Sequence, residues 1–301
     1  MSNILITGGS GLLAVNWAIQ LRKEHKVTLG LHNRKIQILG VEAIFLNLEI
    51  IDEIRKVLDE FLIDIVIHTA ALSNIELCES NPLLAKHVNV QLTSNIAFAA
   101  YLHGAKLVHI STDHLFDGSL SMRTENDETR TLNNYAKTKL QSEEVVTKEC
   151  PEALIIRTNF YGWGTSYRRS FSDEIIYSLK NGKEIYLFED VYYTPILINV
   201  LVDVVHNLIK KTATGIFNIV GDERLSKYDF GIKLAEEFCL NTKLICSTQL
   251  IKREDLVRRP LDMSLDNKKV KNILGIEIGE VGIHLKILRK NNDELNTLRR
   301  I

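Results

Sequence analysis

Tyr135 and Lys139 stand four residues apart in the run Tyr135-Ala136-Lys137-Thr138-Lys139. On a helix that spacing stacks the two side chains on one face. A phenol with an ammonium beside it is a proton donor whose pKa the positive charge pulls down. Lys137, two residues on, points elsewhere. Alone, the pattern is an ordinary solvated helix face, so its meaning depends on what else the chain brings to it. Two other groups carry chemistry. Gly8-Gly9-Ser10-Gly11 lies between an apolar strand pattern and the apolar helix pattern of residues 12–21. Glycines let a backbone approach a pyrophosphate closely, and a helix N-terminus offers free N–H groups to its charge. The spacing is Gly8-x-x-Gly11-x-x-Ala14, alanine being small enough for the close helix packing that the third glycine serves; a plain strand-to-helix turn is the alternative. Ser111-Thr112-Asp113 ends another strand pattern, where a hydroxyl can hydrogen-bond a substrate oxygen.

The elements that position these groups alternate. A second strand over 26–31 ends in Leu31-His32-Asn33-Arg34, with no carboxylate for a ribose hydroxyl. Arg34 can meet a 2′-phosphate there, which makes NADP(H) the preferred cofactor and NAD(H) the second; a solvated loop arginine is the other reading. A third strand is predicted over 43–46 and an amphipathic helix over 51–61. The β-branched run 64–68 ends in Thr69-Ala70-Ala71, whose small side chains let a cofactor lie against the strand end. His68 reads as a packed core histidine. Residues 82–103 read as one long helix with Pro82 in its first turn, and Asn89 and Asn95 on it as exposed polar residues. Strands over 106–110 and 153–157 flank a polar loop, 117–134, and the Tyr135 helix. The alternation predicts an α/β, doubly wound parallel sheet.

Composition narrows the function classes. The chain has 301 residues, 45% hydrophobic and 25% charged, with net charge −1, so neither a nucleic-acid surface nor a basic membrane patch is expected. Cys78, Cys150, Cys239 and Cys246 lie far apart, which argues against a zinc site or a disulfide framework and suits a reducing compartment. A strand pattern from residue 3, and no apolar run long enough for a membrane span, make the expected location cytoplasmic.

Taken together, Thr7-Gly8-Gly9-Ser10-Gly11-Leu12-Leu13, Ser111-Thr112-Asp113 and Tyr135-x-x-x-Lys139 resemble the extended short-chain dehydrogenase/reductase family. Within it the chain is most similar to the dTDP-4-dehydrorhamnose reductase group. His68-Thr69-Ala70-Ala71 with Cys78-Glu79, the run Ser111-Thr112-Asp113-His114-Leu115-Phe116-Asp117-Gly118, Tyr193-Thr194-Pro195, Gly215 to Gly221, Leu225-Ser226 and Arg259-Pro260 follow that group's pattern in order. Three positions depart from it: His114 for tyrosine, Phe160 for a frequent tryptophan, and Asn47 for an aspartate near the adenine.

The resemblance implies a Rossmann-type domain over 1–159 and about 190–214, and a smaller α/β substrate-binding lobe over 160–189 and 215–301. In the second half, helices are expected over 171–179, 200–210 and 227–240, strands over 185–188 and 215–220, and a charged helix over 284–301 that either docks or frays. By resemblance, the catalytic residues are Thr112, Tyr135 and Lys139. The cofactor meets Gly8, Ser10, Gly11, Leu12, Leu13, Arg34, Thr69, Ala70 and Ala71 as well as Tyr135 and Lys139. The substrate meets Asp113, Phe160 and Arg259, the last either on a phosphate or simply solvated; no metal is implied. The implied activity is NADPH-dependent reduction of a 4-keto group on a nucleotide-linked deoxy sugar, with a homodimer as an open assembly. The alternatives are a regulatory subunit resembling the β subunit of methionine adenosyltransferase, or a sugar-nucleotide epimerase or dehydratase. His114 follows Asp113 where a dehydratase carries glutamate.

Overall fold

The computed structural model describes residues 1–301, apart from the side chains of 292–294. Seven strands form one sheet: β1 (Asn3–Thr7), β2 (Lys26–Leu31), β3 (Glu42–Phe45), β4 (Ile65–His68), β5 (Lys106–Ile110), β6 (Leu154–Arg157) and β7 (Gly215–Asn218). Their spatial order is β7-β6-β5-β4-β1-β2-β3 and every pairing is parallel. All four residues of β4 and of β6 are buried, as a parallel sheet covered by helices on both faces requires. Strand order reverses between β1 and β4, so a crevice opens at their carboxyl ends. Register aligns Thr7 with His68, and His68 with His109. The chain therefore leaves β1 and β4 at one level, delivering Gly8 and Thr69 beside Ile110, with Ser111 one residue beyond.

Helices cover both faces: α1 (Leu12–Leu21), α2 (Ile51–Glu60), α3 (Leu92–His103), α4 (Asn134–Glu149), α5 (Phe171–Lys180), α6 (Ile198–Lys210), α7 (Lys227–Glu237) and α8 (Val281–Lys290). On one face Trp17 of α1 and Leu201 of α6 are fully buried in the main core. On the other, Ile54 and Leu58 of α2 pack with Ile96 of α3 and Val146 of α4. Ile54 and Leu58 are one turn apart on an otherwise exposed helix, so α2 holds on largely through them, at roughly 1.5–3 kcal/mol each. Beyond the large sheet, Ile185–Phe188 pairs with Ile245–Thr248 and α7 packs on both strands. Among the described residues no helix is long and apolar enough to cross a membrane.

Three expectations change. The 82–103 helix is interrupted by a π-helical turn at His87–Gln91, between Pro82–Lys86 and α3. The wider turn brings Asn89 inward, where it is 1% exposed; its Oδ1 accepts from Leu72 N at 2.7 Å and its Nδ2 donates to Leu72 O and to Thr138 Oγ1. Asn95 is also buried, donating to Leu48 O at 2.9 Å, so neither asparagine is a surface residue. Second, residues 215–218 are β7, paired with β6, so the range 215–301 given to the smaller lobe begins with a strand of the large sheet. Third, residues 284–301 are two helical pieces, the end of α8 and Asn292–Arg300. They dock: Leu285, Leu288 and Leu298 are buried, and Arg299 donates to Asp173 at 2.8 Å.

Candidate active site

The glycine turn follows β1 directly. Gly8 has φ +67°, and a Cβ there would stand 2.8 Å from the Ala70 backbone, so only glycine lets β1 turn this close to the end of β4. Gly11 N closes the turn onto Gly8 O at 2.7 Å, and no side chain caps α1. The N–H groups of its first turn are thus left for a ligand. The turn opens on a cavity of about 730 Å³. Gly8, Ser10, Gly11, Leu12, Leu13, Arg34, Thr69, Ala70, Ala71, Tyr135, Lys139 and Phe160 all line it. Arg34 has no carboxylate partner among the described residues. A backbone cradle too tight for side chains, free helix N–H groups and an unpaired guanidinium fit a nicotinamide dinucleotide.

Tyr135 reaches the same cavity from the first turn of α4. Asn133 caps that helix, its Oδ1 accepting from Ala136 N at 2.9 Å while its Nδ2 donates to Arg258 O. Thr112 is 4% exposed just after β5, its hydroxyl donating to Asp113 Oδ1 at 3.3 Å and accepting from His114 N. Burial pushes the Tyr135 pKa up to about 12, with the nearby Thr112 hydroxyl pulling the other way. Lys139 does not lower it. Its ammonium is turned to β5, donating to Ile110 O at 2.7 Å and lying 3.4 Å from His109 Nε2. Burial brings Lys139 itself down to about 8, against the pull of Glu143. The expected effect of the ammonium on the phenol is therefore replaced by one of desolvation, which keeps the phenol protonated. Lys137 is exposed. His68 is a core histidine, between the Thr7 hydroxyl at 2.7 Å and the Thr93 hydroxyl at 3.0 Å and stacked on His109.

Glu143 is a residue that sequence reasoning missed. Its carboxylate is 3% exposed and takes Arg157 Nε at 3.0 Å, Arg157 Nη2 at 2.7 Å and Ser111 Oγ at 2.5 Å. It thereby ties α4 to β5 and β6 and fixes Tyr135 relative to Thr112. Its position four residues after Lys139, on the same helix face, was the available signal.

On the substrate side, Asp113 is 2% exposed and its Oδ2 accepts from Asn159 at 2.6 Å. The His114 ring stands edge-on to Tyr135 with centroids 5.6 Å apart, and burial lowers its pKa, leaving it neutral. Arg259 stands partly exposed, its guanidinium pairing with Glu76 and donating to Val257 O. Among the described residues Lys227, a second missed residue, makes no ion pair with a carboxylate. Its ammonium lies 3.4 Å from the Tyr193 ring centroid and 5.1 Å from that of Phe171. Burial brings it to about 8 while Asp113 raises it. Nothing in its sequence setting, just after the Ser226 cap of α7, marks it.

A parallel sheet with a glycine turn at its switch point, and a cavity lined by that turn and by Tyr135 and Lys139, define the class: an NAD(P)-dependent oxidoreductase of the extended short-chain dehydrogenase/reductase type. The chain belongs to the RmlD substrate binding domain family, whose model matches residues 1–290. It is 28% identical over 274 residues to the probable low-salt glycan biosynthesis reductase of Haloferax volcanii, covering 90% of this chain and 91% of that one. It is 27% identical to methionine adenosyltransferase 2 subunit beta of Rattus norvegicus, over 90% and 82% of the two chains. A solved dTDP-4-dehydrorhamnose reductase of Clostridium acetobutylicum superposes with a TM-score of 0.82 at 28% identity, over 97% of this chain and 99% of that one.

Proposed function

We propose that the protein reduces a 4-keto group on a nucleotide-linked deoxy sugar, with NADPH preferred to NADH. The observation that carries this reading is the phenol of Tyr135, kept protonated by burial, with the Thr112 hydroxyl near it, on the wall of the cavity that the glycine turn opens on. When bound, the nicotinamide supplies hydride. The chain supplies the rest. Gly8 to Gly11 and the first turn of α1 take the pyrophosphate, and Thr69 to Ala71 give the flat wall on which the dinucleotide lies. Thr112 hydrogen-bonds the substrate ketone oxygen and holds it against the phenol. Tyr135 donates its proton to that oxygen as negative charge develops there, so no free alkoxide forms. Lys139 lies behind the phenol against β5, available to a ribose hydroxyl. Arg34, unpaired at the end of β2, favours a 2′-phosphate. Lys227 and Asp113 offer one charge of each sign to the sugar-nucleotide. His114 is neutral and follows Asp113, so the site lacks the glutamate of the Asp-Glu pair that elimination of water uses.

The test is NADPH oxidation against a panel of nucleotide-linked 4-keto-6-deoxy sugars, with NADH in parallel. Turnover with at least one member, lost in Tyr135→Phe, supports the reading. Silence across the panel sinks it. The likeness to methionine adenosyltransferase 2 subunit beta supports a second reading, a nucleotide-binding regulatory subunit. That reading gains if the panel is silent while the protein still binds NADPH and forms a stoichiometric complex with methionine adenosyltransferase.

A further inference from the structure

The loop between β6 and α5 crosses the cofactor cavity. Tyr167 and Arg168, on this loop, line the cavity together with Ser10 and Arg34. The Tyr167 hydroxyl donates to Ser10 O, in the middle of the glycine turn, at 2.8 Å. The face of the same ring carries Arg34, whose guanidinium carbon lies 4.3 Å from its centroid. Arg168 as well as Arg34 lies near enough to act on the phenol electrostatically, and both line the same cavity. Among the described residues no carboxylate pairs with either guanidinium. Two unpaired arginines facing one cavity repel each other unless an anion lies between them.

The loop is built to hold this position. Thr165 N donates to Arg168 O at 2.9 Å and Arg168 N to Thr165 Oγ1 at 3.1 Å, closing a tight turn. At its base Gly164 donates to the Asp173 carboxylate, and a side chain at Gly164 would strike the Arg168 carbonyl. Asp173 is 1% exposed and is itself held by Arg299 at 2.8 Å. The turn is thus anchored to α5 and the C-terminal segment while its tip rests on the phosphate turn of β1.

We infer that Tyr167 and Arg168 are cofactor-binding residues that clasp the dinucleotide from the opposite side of the cavity, Arg168 joining Arg34 on the 2′-phosphate of NADPH. Arg34 stands at the end of β2, where the adenosine ribose lies in this fold. Tyr167 holds the Arg34 guanidinium flat by stacking, and a planar guanidinium so held can offer paired N–H groups to a phosphate. Arg168 closes the other side. The clasp also means that NADPH, once bound, ties the phosphate turn to the loop leading into α5. This inference rests on the nicotinamide-binding reading of the cavity and adds to it where selectivity for the phosphorylated cofactor comes from.

The experiment is equilibrium binding of NADPH, NADH and 2′,5′-ADP, followed by nucleotide or tryptophan fluorescence, with no sugar substrate present. Arg168→Ala is expected to weaken NADPH and 2′,5′-ADP about tenfold and to leave NADH within about twofold. Arg168→Lys should recover part of the loss, since it keeps the charge but not the fork. Tyr167→Leu should lower NADPH selectivity as well, by releasing Arg34. Equal melting temperatures for the variants and the unaltered protein show that the loop change is local. If Arg168→Ala leaves the NADPH-to-NADH affinity ratio unchanged, or weakens both cofactors equally, the assignment to the 2′-phosphate is overturned. Failure of the unaltered protein to bind either nucleotide overturns the cofactor reading itself and the clasp with it.

Discussion

Lys139 donates to the carbonyl of Ile110 at 2.7 Å, and the phenol of Tyr135, one helical turn earlier, takes its pKa from burial and from Thr112 instead. In the protein without cofactor the lysine is therefore a tether between α4 and β5. Lys139→Met should leave the raised phenol titration of Tyr135 in place, measured as the difference in ultraviolet titration between that variant and the same variant carrying Tyr135→Phe. Affinity for NADPH should fall at the same time. A phenol pKa that rises further in Lys139→Met would show that the ammonium does act on Tyr135.

Thr112 is the group that opposes the effect of burial on the phenol. Thr112→Val keeps the shape and removes the hydroxyl. It should lower kcat by about 10²-fold, as loss of one donor to a developing oxyanion does, and leave NADPH affinity unchanged. Single-turnover reduction at saturating NADPH measures the chemical step. An unaltered rate removes Thr112 from the catalytic set.

The ion pair of Glu143 and Arg157 is 3% and 4% exposed by side chain, and Ser111 completes it. Removing one partner leaves a buried, uncompensated charge. Glu143→Gln should therefore cost about 3–5 kcal/mol in a denaturant melt, whereas the double change Glu143→Met with Arg157→Met should recover much of it. A single variant that melts like the unaltered protein would show that α4 is held by other contacts.

Lys227 predicts an effect on substrate alone. Lys227→Met should raise KM for the sugar-nucleotide several-fold while the NADPH affinity and kcat stay within about twofold, because the ammonium faces Asp113 rather than the cofactor cavity. Lys227→Arg should retain part of the affinity. A fall in kcat at unchanged KM would move Lys227 into the chemical step.

Stability should fall on mild acidification. Burial lowers His68 from 6.5 to about 3 and His206 to about 4, and His206 Nε2 must stay unprotonated to accept from Trp17 Nε1 at 3.1 Å. Both groups bind protons more readily in the unfolded chain, so stability rises with pH between the folded and unfolded values and is lost as pH falls below 6.5. At pH 5 each costs about 2 kcal/mol relative to pH 7. His206→Gln keeps an acceptor for Trp17 and should flatten the difference in urea midpoint between pH 7 and pH 5. An unchanged difference would place the acid sensitivity elsewhere.

The strand and helix pattern up to residue 160 was readable because each element there carries its own periodicity and its own glycine or small-residue stop. Gly8 to Gly11 and Thr69 to Ala71 are recognisable locally, since the backbone itself needs those residue types. The π-turn at His87–Gln91 was not, because one extra residue per turn leaves no mark on composition, and Asn89 moves from surface to interior with it. Glu143, Arg157 and Lys227 were missed for a related reason. Each looks like a solvated charge in sequence and is decided by what folds over it. The pairing of Arg259 was not legible either, because its partner Glu76 lies 183 residues away.

The seventh strand of the large sheet has a consequence for the order of synthesis. Thr112, Tyr135, Lys139 and five of the strands leave the ribosome within the first 139 residues, yet the outer side of β6 is covered only when residues 215–218 arrive. Until then a parallel strand that is apolar except for Arg157 presents an open row of backbone donors and acceptors, which invites pairing with another chain. A fragment ending near residue 160 keeps the glycine turn, Thr112, Tyr135 and Lys139 but leaves that row exposed. Early translation therefore passes through an association-prone stage, and the nucleotide-binding half is not a module that can be cut out and carried elsewhere.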